Sequence, residues 1–347
     1  MLADDLKACR EAIRHGSKSF HAASHFLPRD VRDAALALYA FCRLADDAVD
    51  LSDEQPAAVL GLQDRLDRVY AGRPANSAPD RAFAWVVDHY DMPRALPDAL
   101  IEGFAWDAMG RDYHSLSDVR AYAARVASSV GAMMAVLMGV RDAQALARAC
   151  DLGVAMQLTN ICRDVGEDAA MGRIYLPRDW LIEAGIDPAA FLRDPEPSEA
   201  LATVVARVLG EADRLYRRSE AGIAVLPLNC RSAIFAARLI YAAIGGAVAR
   251  NGFDSITHRA HTGLGEKVTL GLTALGRTAG STVLPVGRAL YMPALPETAF
   301  LVDAAAQHAA RRRSLNDRVG GMMDILTQLE AMDREQRGAK GGMRPSA

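Results

Sequence analysis

Residues 152–168 read LGVAMQLTNICRDVGED and set Gln157, Asn160, Asp164 and Asp168 into an otherwise apolar stretch. An α-helix advances about 100° per residue, so side chains three and four apart share a face, their Cβ atoms roughly 6 Å apart. Those four residues form one polar stripe, with Gly153 above it and Arg163 and Glu167 off it. Two carboxylates stacked four residues apart repel each other and destabilise a helix unless something compensates. A divalent cation would do so.

A second stripe lies upstream in LYAFCRLADDAVD, residues 38–50. Tyr39, Arg43, Asp46 and Asp50 fall within about 60° of one another around a helix axis, while Leu38, Phe41 and Ala45 point elsewhere. The ordinary reading of one acidic pair is a solvated face, which interleaves Lys four residues from each acid. Here the neighbours are amides, aromatics and small residues, so the two stripes together read as a site. Carboxylate and amide oxygens without His or Cys suit a hard cation, Mg²⁺ or Mn²⁺. Mg²⁺ is commonly held by one or two carboxylates together with substrate phosphates. Cations should then surround the site, and Lys18, Arg43, Arg163, Arg173 and Arg178 are the candidates, Lys18 and Arg43 foremost.

The remainder of the chain is helical in period, with predicted helices over 3–14, 29–50, 54–72, 79–91, 96–112, 116–139, 142–167, 195–224, 228–250 and 300–332. RIYLP at 173–177 is the one extended-looking stretch, and its proline argues for a turn. Nothing reads as an interdomain linker, which predicts one all-α domain over 1–335 and a disordered tail over 336–347. Ala123, Ala127, Gly131 and Ala135 recur every four residues, a smooth stripe for close helix packing. The adjoining Tyr122, Val126, Ser129 and Met133 suit either core or a cavity wall, with core the expectation. The composition, 51% hydrophobic and 24% charged with a net charge of −3 over 347 residues, is globular and gives no reason to expect a nucleic-acid partner. Five cysteines without CxxC spacing point to a reducing compartment and a cytoplasmic location. No signal peptide is read at the N-terminus, and the uncharged runs 126–140 and 239–249 are too short to span a bilayer.

The chain resembles the squalene and phytoene synthase family, and within it is most similar to the bacterial phytoene synthases. The resemblance covers about residues 10–270. GSKSF (16–20) with LPRDVRDAALALYAFCRLADDAVD (27–50) is similar to the family's first block, YAARVASSVGAMMAVL (122–137) to one signature, and LGVAMQLTNICRDVGEDAAMGRIYLP (152–177) to a second, along its whole length. YRRSEAGIAVLP (216–227) and RSAIFAARLIYAAI (231–244) resemble later helices. The sequence departs from relatives at Gly16, where some carry His, and at Ala123 and Ala124, where Cys-Tyr is common.

The resemblance implies an isoprenoid-synthase helical bundle around a central apolar cavity, with an aspartate motif on either wall. It implies that Asp46, Asp50, Asp164 and Asp168, with Asn160, hold Mg²⁺ on substrate diphosphates. Arg43 and Tyr39 join them in catalysis. Substrate contacts fall to Ser17, Lys18, Ser19, Phe20, Tyr122, Gln157, Asn160, Arg163, Arg173 and Tyr241. The implied reaction joins two molecules of geranylgeranyl diphosphate head to head through a cyclopropylcarbinyl diphosphate. A farnesyl-using squalene or dehydrosqualene synthase, and a non-catalytic assembly protein that should have lost acids from its DxxxD pairs, are the alternatives. A water-insoluble product also suggests weak peripheral membrane contact, for which the apolar stretch 269–300 is a candidate, a further core helix being the alternative.

Overall fold

The structure, a computed structural model, describes residues 2–16, 24–50, 55–306, 329 and 332; side chains at 2, 12–16 and 44–50 are not described. Leu2–Gly16 (α1), Arg29–Asp50 (α2), Gln55–Tyr70 (α3), Ala78–His89 (α4) and Ala95–Ala108 (α5) form one half. Leu116–Ala123 (α6) continues through a π-turn, Ala124–Ser128, into Ser129–Leu137 (α7). Ala143–Arg163 (α8) and Val165–Ala170 (α9) follow, then the short Arg178–Glu183 (α10) and Pro188–Arg193 (α11). Glu199–Ile223 (α12), Leu228–Arg250 (α13), Leu264–Gly280 (α14) and Ala299–Ala306 (α15) complete the described bundle. No strand occurs among the described residues.

Polar caps start several of these helices. Side chains of Ser77, Ser115, Asp142 and Ser198 accept from the backbone N–H three residues on, at 3.3, 3.2, 2.9 and 3.1 Å, satisfying amides that have no partner in the first turn. Two cores result. One gathers α1 to α5 and α7 around the stacked Phe41 and Phe83 rings, 4.3 Å apart. The other lies between α8 and α12, around Leu158, Val205, Val208 and Tyr216. Arg148 of α8 is wholly buried against the equally buried Asp151 (2.9 Å), which also meets Arg218 of α12 at 3.1 Å. Burial pushes the Asp151 carboxyl up to about 6, outweighing both arginines.

The structure departs from the sequence reading in several places, among them the short helices α10 and α11, which fall between the predicted helices over 142–167 and 195–224. The predicted helix over 142–167 breaks at Asp164, which caps α8 with φ −104° and ψ 14°. The predicted helix over 116–139 contains the π-turn, in which Ser129 N–H reaches Ala124 O, five residues back. Its hydroxyl donates to Arg125 O. The turn lies against α8 at Gly153, where a Cβ would come within 2.6 Å of Ser128 Cα; that is the close packing the small-residue stripe suggests. Helix α14 was not among the predicted helices, because glycines at 265, 271, 276 and 280 and repeated threonines weaken helix propensity. Of the predicted 300–332 helix, Ala299–Ala306 is helical, and 307–328, 330 and 331 lie outside the described residues.

By length and composition α13 is apolar enough to cross a membrane, which the uncharged-run criterion did not anticipate. It packs on α14, α8 and α12, half of it is buried, and Arg238 within it pairs with Glu220 at 2.9 Å. These are the features of a core helix.

Candidate functional site

The polar stripe of α8 runs to its C-terminal end and survives the break. Asp164 N–H donates to Asn160 O at 2.9 Å and Asp168 N–H to Asp164 O at 2.8 Å, so the four-residue rise continues into α9. At the end of α9, Gly172 takes φ +75°. Its N–H donates to Ala169 O at 2.9 Å and that of Arg173 to Asp168 O at 2.8 Å, the paired bonds that reverse a chain at a left-handed glycine. The reversal returns Arg173 to the neighbourhood of Asp168, where its charge acts on that carboxyl.

Arginines surround the acids. Arg163 turns back on Asp164, with Nε donating to Oδ1 at 2.7 Å and Nη2 to Oδ2. Arg259, from the segment before α14, donates from Nε to Asp164 Oδ1 at 3.0 Å and pairs through Nη1 with Glu167 at 3.1 Å. Gly166 N–H donates to Ser255 O at 3.0 Å, tying that segment to the break in the helix. Tyr241 lies near both Arg163 and Asp164, its hydroxyl pushed up by burial. Gln157 accepts from Asn160 Nδ2 at 3.4 Å. Asn160 Oδ1 is buried with no hydrogen-bond partner.

Asp168 is the most perturbed acid of the group. Burial, then the Asp164 charge, push its carboxyl up to about 7; Arg173 opposes, and Asp107 and Glu167 add to the rise. Asp107 is the hub of a cluster the sequence reading missed. Tyr122 donates to its Oδ2 at 2.8 Å and Tyr175 to its Oδ1 at 2.7 Å. The Tyr122 and Tyr175 rings stack at 4.9 Å, with Tyr113 5.1 Å from Tyr122. A small pocket beside Asp168 is lined by Ile161, Val165, Ile174, Leu176 and Phe191.

Other expected residues fall as follows. Tyr39 is half-buried and Arg43 exposed on α2, whose last turns carry Asp46 and Asp50, with side chains outside the described residues. Ser17, Lys18, Ser19 and Phe20 also lie outside them. Arg178 pairs with Asp112, so it is not one of the cations on the acidic stripe. Met133 is fully buried in the core and the Ser129 hydroxyl donates to Arg125 O. Among the described residues no three His, Cys, Asp or Glu side chains converge as a metal-binding group.

The donors fit a hard cation in kind: the unpartnered Asn160 oxygen and two carboxylates whose mutual repulsion a cation would relieve.

Fold and site are those of an all-α protein with an oxygen-rich, arginine-ringed pole at the end of its central helix. Residues 13–266 match the squalene/phytoene synthase family, and the chain belongs to that family. It is 55% identical over 339 residues to a phytoene synthase of Rhodobacter capsulatus, covering 96% of this chain and 98% of that one. It is 57% identical to a phytoene synthase of Cereibacter sphaeroides, covering 95% of each. A dehydrosqualene synthase crystallised with a ligand superposes with a TM-score of 0.75 at 30% identity, over 80% of this chain and 98% of that one. For a squalene synthase from Alicyclobacillus acidocaldarius the TM-score is 0.67 at 26% identity, over 73% and 95%.

Proposed function

We propose that this chain is a phytoene synthase, a prenyltransferase that joins two geranylgeranyl diphosphates head to head. The reaction yields phytoene, two diphosphates and two protons, the first committed step of carotenoid biosynthesis. The observation that carries this reading is identity of 55–57% over nearly the whole length to two bacterial phytoene synthases.

Asn160, Asp164 and Asp168, with Asp46 and Asp50 from the first motif, would hold Mg²⁺ or Mn²⁺. The metal, when bound, supplies charge neutralisation on the departing diphosphate. Arg163, Arg173 and Arg259 add fixed positive charge around the same pole, available to phosphate oxygens as the C–O bond breaks. The allylic cation so released is attacked by the double bond of the second substrate, and loss of a proton as the three-membered ring closes gives the cyclopropylcarbinyl diphosphate (prephytoene diphosphate). Its own ionisation, rearrangement and proton loss give the hydrocarbon. Ile161, Val165, Ile174 and Phe191 make an apolar wall beside Asp168 that excludes water able to quench either cation. The faces of Tyr122 and Tyr175 offer negative π density to the same charge. All five cysteines are free, which supports a reducing, cytoplasmic compartment.

The test is to incubate the protein and Mg²⁺ with geranylgeranyl or farnesyl diphosphate, each with and without NADPH, and to identify the extracted hydrocarbon. Phytoene from the longer substrate, indifferent to NADPH, is expected. Preference for farnesyl diphosphate, or a product formed only with NADPH, moves the chain to the squalene or dehydrosqualene branch.

A further inference from the structure

Asp107 is the next-to-last residue of α5, where a carboxylate meets the negative end of the helix dipole, and the last turn holds no basic residue to offset it. The helix does not explain its presence; what it accepts does. The Tyr122 hydroxyl donates to one oxygen at 2.8 Å and the Tyr175 hydroxyl to the other at 2.7 Å. Burial, then the Asp107 charge, push both hydroxyls up, so they stay protonated and donate. Both side chains are buried, and their rings stack at 4.9 Å. Tyr113 packs on the two rings at 5.1 and 5.7 Å, yet its hydroxyl has no hydrogen-bond partner among the described residues. Stacking therefore needs no carboxylate. Nor does the segment carrying Tyr175 need one to stay in place: Arg178 N–H donates to Tyr113 O at 3.0 Å and Asp179 N–H to His114 O at 2.9 Å.

What the two bonds add is orientation. Tyr175 lines the pocket beside Asp168 and Asp107 does not, so the bond draws the phenol oxygen out of that pocket and leaves the ring as its wall. Hydrogen bonds from a hydroxyl to a carboxylate are short and strong, and two of them on one carboxylate fix both rings. A water molecule or a phenol oxygen at such a wall is a nucleophile that captures an allylic cation, forming a C–O bond and releasing a proton. A ring face offers π density instead. The Asp107 charge also acts on Asp168, which places it beside the reacting pole. We propose that Asp107 is a positioning residue of the condensation. It accepts both hydroxyls, holds the Tyr175 ring as pocket wall with Tyr122 stacked on it, and so keeps oxygen nucleophiles from the cations. The inference rests on the prenyl diphosphate reading above and assigns a residue which that reading does not use.

The test counts inorganic diphosphate released against hydrocarbon formed, with whichever prenyl diphosphate the protein turns over. The unaltered protein should release two diphosphates per hydrocarbon. Asp107→Asn is close in shape but gives up the charge and one acceptor oxygen. It should still ionise substrate while water captures the cation, so hydrocarbon per diphosphate should fall about threefold to tenfold, prenyl alcohol making up the difference. Tyr175→Phe keeps the ring and loses one bond; it should shift the ratio the same way by less, and it decides the matter if Asp107→Asn does not fold. Tyr113→Phe removes a hydroxyl that Asp107 does not hold and should leave the ratio at two. A fold that is merely loosened slows both products together and keeps the ratio. A ratio of two in folded Asp107→Asn or in Tyr175→Phe therefore overturns the inference, as does an equal shift in Tyr113→Phe. Unaltered protein that turns over neither geranylgeranyl nor farnesyl diphosphate overturns instead the reading on which the inference rests.

Discussion

Asp168 sits where three other acids, Asp164, Asp107 and Glu167, bear on it and Arg173 opposes them. A carboxylate so placed costs the protein stability and is useful only to something positively charged that arrives later. Asp168→Asn should lower turnover by about a hundredfold or more while leaving helix content unchanged. The same change should raise the unfolding temperature in EDTA, because it removes like-charge repulsion, and should abolish the stabilisation given by Mg²⁺ with inorganic diphosphate. Calorimetry and a product assay on one preparation check both parts. Near-normal turnover would remove Asp168 from the metal site. The stripe itself was legible because its spacing is local: Gln157, Asn160, Asp164 and Asp168 lie within twelve consecutive residues. Arg259 was not, since it reaches Asp164 across 95 residues and its own neighbours show no period. Asp107 was hidden likewise: its tyrosine partners lie 15 and 68 residues away, a relation made by tertiary packing alone.

At the scale of elements, periodicity found the long helices and missed the irregularities that aim them. The π-turn at Ala124–Ser128 inserts one residue into a helix whose pattern reads as continuous, and what stabilises it is a contact with α8 that no local pattern encodes. Gly153 is the point of that contact. Gly153→Ala places a methyl 2.6 Å from Ser128 Cα and 2.9 Å from Ala127 C, both backbone atoms that cannot rotate away. The overpacking should cost about 1–3 kcal/mol, outweighing the helix-propensity gain of about 1 kcal/mol. Urea denaturation measures it, and a stabilised variant would show that the turn yields freely. A second element-scale contact predicts pH dependence. Burial would raise the Glu211 carboxyl, but bonds from Arg214 (2.8 Å) and Arg120 (2.5 Å) outweigh it and hold it below the ordinary value. A depressed carboxyl stabilises the fold above its unfolded pKa and loses that contribution as pH falls through the folded one. Glu211→Gln should therefore cost on the order of 1–3 kcal/mol at neutral pH. The gap should narrow as pH falls below about 4. A gap that persists at low pH would mean that shape, not charge, joins α6 to α12.

At the scale of the molecule, the two cores do not separate. The π-turn packs on α5 and α8 together, α7 packs on α5 and α8, and α8 is in turn covered by α12 and α13. The buried Arg148 also donates to Pro293 O at 3.2 Å, fastening the chain ahead of α15 to the central pair. A boundary drawn anywhere between α5 and α12 would cut through buried contacts, whereas domain boundaries run where few contacts cross. We therefore expect cooperative unfolding as one unit, as the lack of a linker in the sequence suggests. Differential scanning calorimetry should show a single transition whose calorimetric and van't Hoff enthalpies agree. Mg²⁺ with inorganic diphosphate, bound at the end of α8, should move that whole transition upward by mass action without splitting it. Two resolved transitions, only one of them shifted by Mg²⁺ and diphosphate, would instead divide the α1–α5 half from the half that holds the acidic pole.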